Sequence, residues 1–323
     1  MITTAGTVRE CIFDNMYELA CELADGKKKD DTFLPILYEL DSRDEWTNPQ
    51  MWVKANPGLG KIKQYKTLAN FVERAKNSPA DLPGVLCKDF NIRENQSNVW
   101  LSFEQIKNSV TFEMSEVYNT YAIGGCDLSA TTDLTAATLL IRKPNNKTVY
   151  VLQQYFLPQA RIEHLEDKNT NEAPYRKWAE RGLLTICEGN RVNFSDVTAW
   201  FLQMRDEYKI DAFKVGYDRA LAGYWVEEMK SNGFTMEPVA QGPFTWSQPM
   251  REMGAALADK IVNYNNNPLL LWCLSNTAVK KSGLNNIQPV KITDKRRIDG
   301  AVSLLNAWVI YVKYFDDYMY NVG

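Results

Sequence analysis

Hydrophobic and polar residues follow different periods in the two parts of this chain. In the first hundred residues the apolar positions recur at helical spacing, in residues 8–27 and again in residues 68–90. Pro79 and Pro83 are expected to break the second of these helices. The run TFLPILYEL at 32–40 predicts a short buried strand, and residues 42–61 are rich in turn-forming residues. The pattern therefore predicts a mostly helical N-terminal part.

After about residue 115 strand-like runs alternate with helical patterns, which predicts a mixed α/β domain. Three strands joined by short connections predict an antiparallel meander at 121–126, 136–141 and 148–156. Helices and further strands are then expected at 173–182, 193–210 with a cap near Ser195, 212–217, 219–233 and 234–240. A final helix carries an apolar stripe expected to be buried: Ile298, Val302, Leu305, Val309 and Val312.

Composition narrows the chemistry that this chain can perform. The 323 residues are 45% hydrophobic and 24% charged, with a net charge of -3, so any nucleic-acid surface must be a local patch. No two of the six cysteines have CxxC spacing, and the one histidine, His164, lies among charged residues and is expected at the surface. Zinc sites built on several histidines are excluded, so catalysis is expected to depend on carboxylates. No apolar run approaches a membrane span, and no signal peptide or membrane association is expected.

The segment NPGLGKI at 56–62 superficially resembles a phosphate-binding loop. That motif needs GxxxxGK followed by Ser or Thr, whereas Gly58 and Gly60 are too close together and Ile62 follows Lys61. An ordinary glycine turn is the better interpretation. We therefore expect no nucleotide-binding residues and no ATP hydrolysis by this chain alone.

Three aspartates lie at the ends of predicted strands and helices. Asp127 and Asp218 each follow a predicted strand, and Asp299 lies in the first turn of the final helix. Asp299 alone would be explained by the helix dipole, which favours a carboxylate there. If the two strands are neighbours, however, all three carboxylates could meet at one sheet edge, where their repulsion would be relieved by divalent cations. Two Mg²⁺ or Mn²⁺ ions held in this way could promote phosphodiester hydrolysis.

Longer motifs around these aspartates resemble the large terminase subunit of tailed bacteriophages. They are GGCDLSATTDLTAATLLI, VGYDRALAGYWVEEMKSNG, VAQGPFTWSQPMREM, NNNPLLLWCLSNTAVKK and KRRIDGAVSLLNAW. The resemblance implies an RNase H-like mixed sheet with flanking helices and a two-metal-ion DNA endonuclease. It places the family's metal-binding acids on Asp127, Asp218 and Asp299, and an accessory acid on Asp133.

The upstream half is also similar to this family. LPILYELDSRDEWTNPQMWVKANPGLG resembles the end of its P-loop ATPase domain, and ITTAG at 2–6 resembles its coupling motif, but no Walker A or Walker B segment precedes them. The resemblance therefore implies an ATPase remnant with linker at 1–112 and a nuclease domain at 113–323. A truncated protein, a split gene or a fragmentary gene model would each account for this, and a separate chain could carry the missing ATPase segment.

A basic segment at 280–297 precedes Asp299 and is expected to form a loop or hairpin. It is either a solvated face or a surface that holds DNA phosphates beside the site. Its proposed DNA-binding residues are Lys280, Lys281, Lys291, Lys295, Arg296 and Arg297.

The function predicted from these features is cleavage of double-stranded viral DNA during genome packaging. By resemblance, the partners would be DNA, the portal protein, the small terminase subunit and further copies of the chain in a motor ring. The location would be the host cytoplasm and, transiently, the procapsid portal. Two alternatives stay open: another RNase H-like nuclease of the resolvase or transposase type, and a non-catalytic packaging-motor module that docks to the portal.

Overall fold

A computed structural model describes most of the chain and divides it into two units, Met1–Phe103 and Glu104–Gly323. The described residues are 4–5, 12–78, 81–92, 99–129, 134–167, 173–220, 223–282, 285–292 and 296–322. Asp133, Lys295 and Pro79 lie outside them, and only Thr4 and Ala5 of the ITTAG motif are described.

The first unit is helical in its described residues. Its α-helices are α1 (Ile12–Ala24), α2 (Trp52–Ala55), α3 (Tyr65–Asn77) and α4 (Leu82–Asp89), with a 3-10 turn at Arg43–Thr47. The core forms where α3 and α4 meet around Leu68, Val72, Leu86 and Phe90, all at most 2% exposed. The helical prediction for this part is confirmed.

Two local predictions in this unit are wrong. Residues 32–40 form no strand: Leu34 is 82% exposed and Ile36 is 60% exposed. Pro35 lacks an amide hydrogen, and no strand among the described residues of this unit pairs with the segment. The helical pattern at 68–90 is interrupted as predicted, because α3 ends at Asn77 and α4 begins at Leu82, but Pro83 is not the residue that interrupts it. Pro83 lies in the first turn of α4, where a missing backbone N–H costs nothing.

The second unit contains a seven-stranded mixed sheet. Its strands are β1 (Thr120–Asp127), β2 (Thr135–Arg142), β3 (Val149–Pro158), β4 (Leu184–Cys187), β5 (Ile210–Tyr217), β6 (Met236–Pro238) and β7 (Val262–Asn263). The order is β4-β3-β2-β1-β5-β6, and β7 pairs with β3. β1, β2 and β3 form the predicted antiparallel meander, while β5 lies parallel to β1 and β6 parallel to β5. The mixed α/β prediction is confirmed.

Helices cover both faces of this sheet. The helices of the described residues from Phe103 onward are α5 (Phe103–Ile106), α6 (Gln159–Asp167), α7 (Tyr175–Glu180), α8 (Phe194–Asp206), α9 (Gly223–Ser231), α10 (Pro243–Ala258), α11 (Pro268–Ser275), α12 (Asp299–Lys313) and α13 (Phe315–Val322). α8 and α9 pack on one face, and α12 packs across β1, β2 and β5 on the other, with α10 and α11 beside it. The cap of α8 is Asn193 rather than Ser195, because the Asn193 side chain accepts the Ser195 N–H at 3.2 Å.

α12 is buried on more than one side. Every residue from Asp299 to Trp308 is buried, whereas Val312 of the predicted stripe is 37% exposed. The stripe is therefore wrong at its C-terminal end, where Val312 and Lys313 are exposed, and residues outside the stripe are buried farther back because the sheet and neighbouring helices enclose that part of α12. Within the described residues, no helix is long and apolar enough to cross a membrane.

Candidate functional site

Two of the predicted site aspartates leave the same edge of the sheet. β1 and β5 are parallel neighbours, and their register pairs Gly125 with Gly216. Asp127 and Asp218 each stand two residues beyond that pair, at the carboxyl ends of strands that lie about 4.8 Å apart. The sheet order thus brings these two carboxylates side by side.

The alternation of side chains along β1 assigns a face to Asp127. Cys126 belongs to the hydrophobic core formed with α8 and α9. Successive strand residues point to opposite faces, so Gly125 and Asp127 face α12 instead. In β5, Tyr217 packs toward the α8 and α9 core, while Gly216 faces α12.

Asp299 is brought to the same edge by close packing of α12. It is the first residue of the helix and is only 5% exposed. A Cβ atom added at Gly125 would lie 2.5 Å from the Ser303 carbonyl oxygen, and one at Gly216 would lie 2.9 Å from the Asn306 carbonyl oxygen. The two glycines therefore let the helix backbone approach both aspartate-bearing strands more closely than any side chain would allow.

The buried thiol of Cys273 in α11 is affected by the charges of both Asp299 and Asp127. Burial raises the pKa of this α11 thiol well above its usual value, and the charge of Asp299 and then that of Asp127 raise it further. Burial likewise raises the pKa of Tyr155, with Cys273 and Asp299 adding to the effect. Both carboxylates therefore lie within electrostatic reach of one buried thiol.

Asp218 has a local structural role as well. Its Oδ1 accepts the N–H of Ala220 at 3.2 Å, which closes the turn after β5, and its side chain is half-buried. The part of the chain that the structure describes has no group of three or more His, Cys, Asp or Glu side chains gathered so as to hold a metal ion. Asp133, the predicted accessory acid, cannot be placed because it lies outside the described residues.

The donor set nevertheless fits a hard divalent cation. Asp127 and Asp299 offer carboxylate oxygens, the ligands that Mg²⁺ and Mn²⁺ prefer. Asp127 and Asp299 are thus the pair around which such a site would form.

The basic segment forms a hairpin that precedes α12 in the chain. Its strands are β8 (Thr277–Ser282) and β9 (Asn286–Lys291), and their register pairs Thr277 with Lys291 and Lys281 with Ile287. Opposed residues share a face, so Lys281 and Lys291 lie on one face and Lys280 on the other. The predicted hairpin is present, but its cations are divided between two surfaces.

The hairpin is attached to α10, and the chain after it leads directly into α12. Ser247 of α10 accepts the Ile287 N–H at 3.1 Å. Arg296 is half-buried, and Arg297 is only 6% exposed. Arg297 is therefore not a solvent-facing cation like Lys280 and Lys281.

Further polar residues behind the aspartates were not singled out from the sequence. Thr138, Gln153, Ser303 and Asn306 are all buried between the sheet and α12. A signal was available: Gln153 and Gln154 are consecutive polar residues in an otherwise apolar strand, so one of them must face each side of the sheet.

The surface position expected for the one histidine is confirmed, and three tryptophans are buried. His164 is exposed on α6. Trp246, Trp272 and Trp308 are at most 6% exposed, so they are core residues rather than base-stacking platforms.

Comparisons with known proteins agree with the motifs and the fold. A family model described as terminase large subunit, endonuclease domain, matches residues 27–313. Protein YmfN of Escherichia coli (strain K12) is 31% identical over 328 residues, which cover 95% of this chain and 69% of YmfN. The large terminase subunit of Enterobacteria phage HK97 is 26% identical over 286 residues, covering 86% of this chain and 54% of that protein. The crystal structure of the HK97 large terminase shares the fold, with a TM-score of 0.55, 21% identity, and coverage of 91% of this chain and 60% of that one. The chain thus spans little more than half the length of this phage terminase.

Proposed function

This chain belongs to the terminase large subunit family, in the part that carries the endonuclease domain, and from that premise we propose that it is a divalent-metal-dependent endonuclease. Its substrate is double-stranded viral DNA, which it cuts during genome packaging. The resolvase or transposase alternative is set aside by the family membership.

The observation that supports this proposal best is geometric: Asp127 and Asp218 each lie two residues beyond the paired Gly125 and Gly216, and the buried Asp299 begins the helix that packs on both glycines. Asp127 and Asp299 bind the cation, and Asp218 completes the set, with Asp133 as an accessory acid. Two bound Mg²⁺ or Mn²⁺ ions would supply an activated water and charge stabilisation for the leaving oxygen of a phosphodiester.

The protein residues around the ions hold the geometry in this proposal. Burial of Asp299 keeps that carboxylate in one orientation and limits water around it. The Ala220 N–H bond to Asp218 directs one oxygen into the turn and leaves its other oxygen for the site.

The hairpin and the chain leading into α12 are proposed to hold the DNA backbone. Lys280 and Lys281 are exposed, Lys291 and Arg296 are half-buried, and Lys295 and the buried Arg297 complete the basic segment. Cations beside the cutting site contact phosphates without reading base sequence. Because the hairpin has two cationic faces, Lys281 and Lys291 act together and Lys280 separately.

We further propose that residues 1–112 are the end of an ATPase domain with linker and that residues 113–323 are the nuclease domain. The proposed partners are the portal protein, the small terminase subunit, other copies of the chain in a motor ring, and a separate chain carrying the ATPase segment. The proposed location is the host cytoplasm and the procapsid portal.

The test is a plasmid nicking assay with purified chain and Mn²⁺ or Mg²⁺. Cutting is expected in either metal and should stop with chelator. Asp127→Asn and Asp299→Asn should abolish it, because each removes a charged ligand. Without metal, Asp127→Asn should melt at the parent temperature or above it, since it relieves carboxylate repulsion, and Mn²⁺ should stabilise it less than the parent.

Two outcomes would contradict the proposal. Full cutting by either variant would show that these carboxylates hold no catalytic metal. A folded parent that neither cuts DNA nor gains thermal stability from Mn²⁺ would instead favour the non-catalytic module that docks to the portal.

A further inference from the structure

A chain of buried hydrogen bonds links the two elements that carry Asp127 and Asp299. Tyr155 donates its hydroxyl to Gln153 Oε1 at 2.5 Å. Gln153 Nε2 then donates to the Gly300 carbonyl at 3.0 Å and to Thr138 Oγ1 at 2.8 Å. Thr138 and Ser303 hydroxyls lie 2.7 Å apart, and Ser303 donates to the Gly125 carbonyl at 3.0 Å. The chain runs from β3 through β2 and α12 to β1.

The donor and the acceptor of each hydrogen bond in this network can be assigned. The Ser303 hydroxyl donates its hydrogen to the Gly125 carbonyl, so it must accept a hydrogen bond from the Thr138 hydroxyl. The Thr138 oxygen in turn accepts from Gln153 Nε2. Tyr155 fixes which end of the Gln153 amide is the acceptor. Only this amide orientation satisfies Gly300 and Thr138 together, so Tyr155 sets the direction of the whole network.

The ends of the network lie next to the proposed metal ligands. Gly300 follows Asp299, and Gly125 is two residues before Asp127. A parallel bond, from Asn306 Nδ2 to the Cys126 carbonyl at 2.8 Å, ties the same helix to the residue just before Asp127. The bonds therefore hold the first turn of α12 at a defined position along β1.

Stability alone does not require this polar network. A buried hydrogen bond contributes only about 1 kcal/mol net, so apolar residues of similar shape could join these elements equally well. A satisfied polar network adds a unique alignment of the elements that it joins. Apolar packing would allow the helix to slide, whereas hydrogen bonds with fixed partners would not.

We propose that Gln153, oriented by Tyr155, is a positioning residue that holds Asp299 at the distance from Asp127 that a shared divalent cation requires. This inference rests on the function proposed above. Gln153 would not touch the metal or DNA but would act through the Gly300 carbonyl and the Thr138–Ser303 pair.

The test measures Mn²⁺ binding to the full chain by calorimetry, together with thermal stability in the absence of metal. Gln153→Met keeps the side-chain volume and removes both donors. Gln154→Met is the matched control, because Gln154 is the next residue, points to the opposite face and donates to Thr185 Oγ1 at 3.0 Å. Loss of residues that orient metal ligands typically weakens metal binding about 10–100-fold, which is the effect expected for Gln153→Met. Gln154→Met should keep the parent's affinity.

Affinity separates positioning from mere stabilisation. If Gln153→Met lowers the melting temperature but binds Mn²⁺ like the parent, the inference is overturned. An equal loss of affinity in Gln154→Met would also overturn it. If Gln153→Met does not fold, Tyr155→Phe replaces it in the test, because it removes only the hydroxyl that orients Gln153. Tyr155→Phe should weaken Mn²⁺ binding, and parent-like affinity in this variant would overturn the inference. A parent that binds no Mn²⁺ would count against the proposed function itself.

Discussion

Gly125→Ala should be among the most damaging single-methyl additions in the second unit. The added Cβ would lie 2.5 Å from the Ser303 carbonyl oxygen and 2.7 Å from Ala307 Cβ. Carbon atoms normally pack at about 3.5–4.0 Å, so α12 would have to move away from β1 by about 1 Å. That movement would stretch the Ser303 bond to Gly125 and the Asn306 bond to Cys126.

The cost follows from these contacts. Overpacking of a core typically costs about 1–3 kcal/mol, and backbone on both sides leaves little room for relief here. Two weakened hydrogen bonds add about 1 kcal/mol each, which gives a total of about 3–5 kcal/mol. For a unit of this size, each kcal/mol lowers the melting temperature by about 2–4 °C, so a fall of about 6–20 °C is expected.

Calorimetric unfolding of the parent and the variant measures this shift. Gly223→Ala is the matched control, because a Cβ at that exposed position in the same unit meets nothing within 4 Å. The control should melt close to the parent. A Gly125→Ala protein that melts within about 2 °C of the parent would refute the reasoning, because it would show that α12 does not rest on β1 at this spacing.

Two further expectations concern ligands. Purified chain should not hydrolyse ATP, because its 323 residues contain no phosphate-cradling loop with a following lysine and hydroxyl; turnover above a buffer blank in contaminant-free material would contradict this. Replacing Lys281 and Lys291 together with alanine should lower the slope of log DNA affinity against log salt by up to about 1.8, equally on unrelated DNA sequences. Lys147→Ala is the control, because Lys147 is exposed in the β2–β3 turn at the opposite end of the sheet, and it should leave the slope unchanged. An unchanged slope in the double variant would show that this face of the hairpin does not contact DNA phosphates.

The β1–β3 meander and the position of Asp127 at the end of β1 could be predicted from the sequence, because the patterns that indicate them are local. Apolar runs of strand length separated by KPNNK define β2 and β3, and the run before Asp127 defines β1. The segment around Leu34 carries the same local signal but forms no strand. Local pattern records how well a strand could be buried, whereas a strand exists only where a partner supplies hydrogen bonds.

The candidate site could be predicted from the sequence only in part, because its geometry depends on long-range pairing. Asp127, Asp218 and Asp299 stand at element ends that the sequence reveals, but their proximity depends on β5 lying next to β1. That pairing joins residues about ninety positions apart, and no local pattern encodes it. Longer motifs shared with a family supplied the missing long-range information.

Small and polar residues, rather than apolar ones, determine where α12 sits on the sheet. Gly125 and Gly216 remove the side chains that would hold the helix away, and a Cβ at Gly300 would lie 2.8 Å from the Tyr155 ring. The helix therefore lies close enough to the sheet for Ser303 and Asn306 to donate hydrogen bonds to backbone carbonyls of β1. Apolar packing alone would favour contact but would not select a depth or a register, because dispersion contacts are individually weak and non-directional. The carboxylate of Asp299 occupies its position because glycines set the depth of α12 and hydrogen bonds set its register.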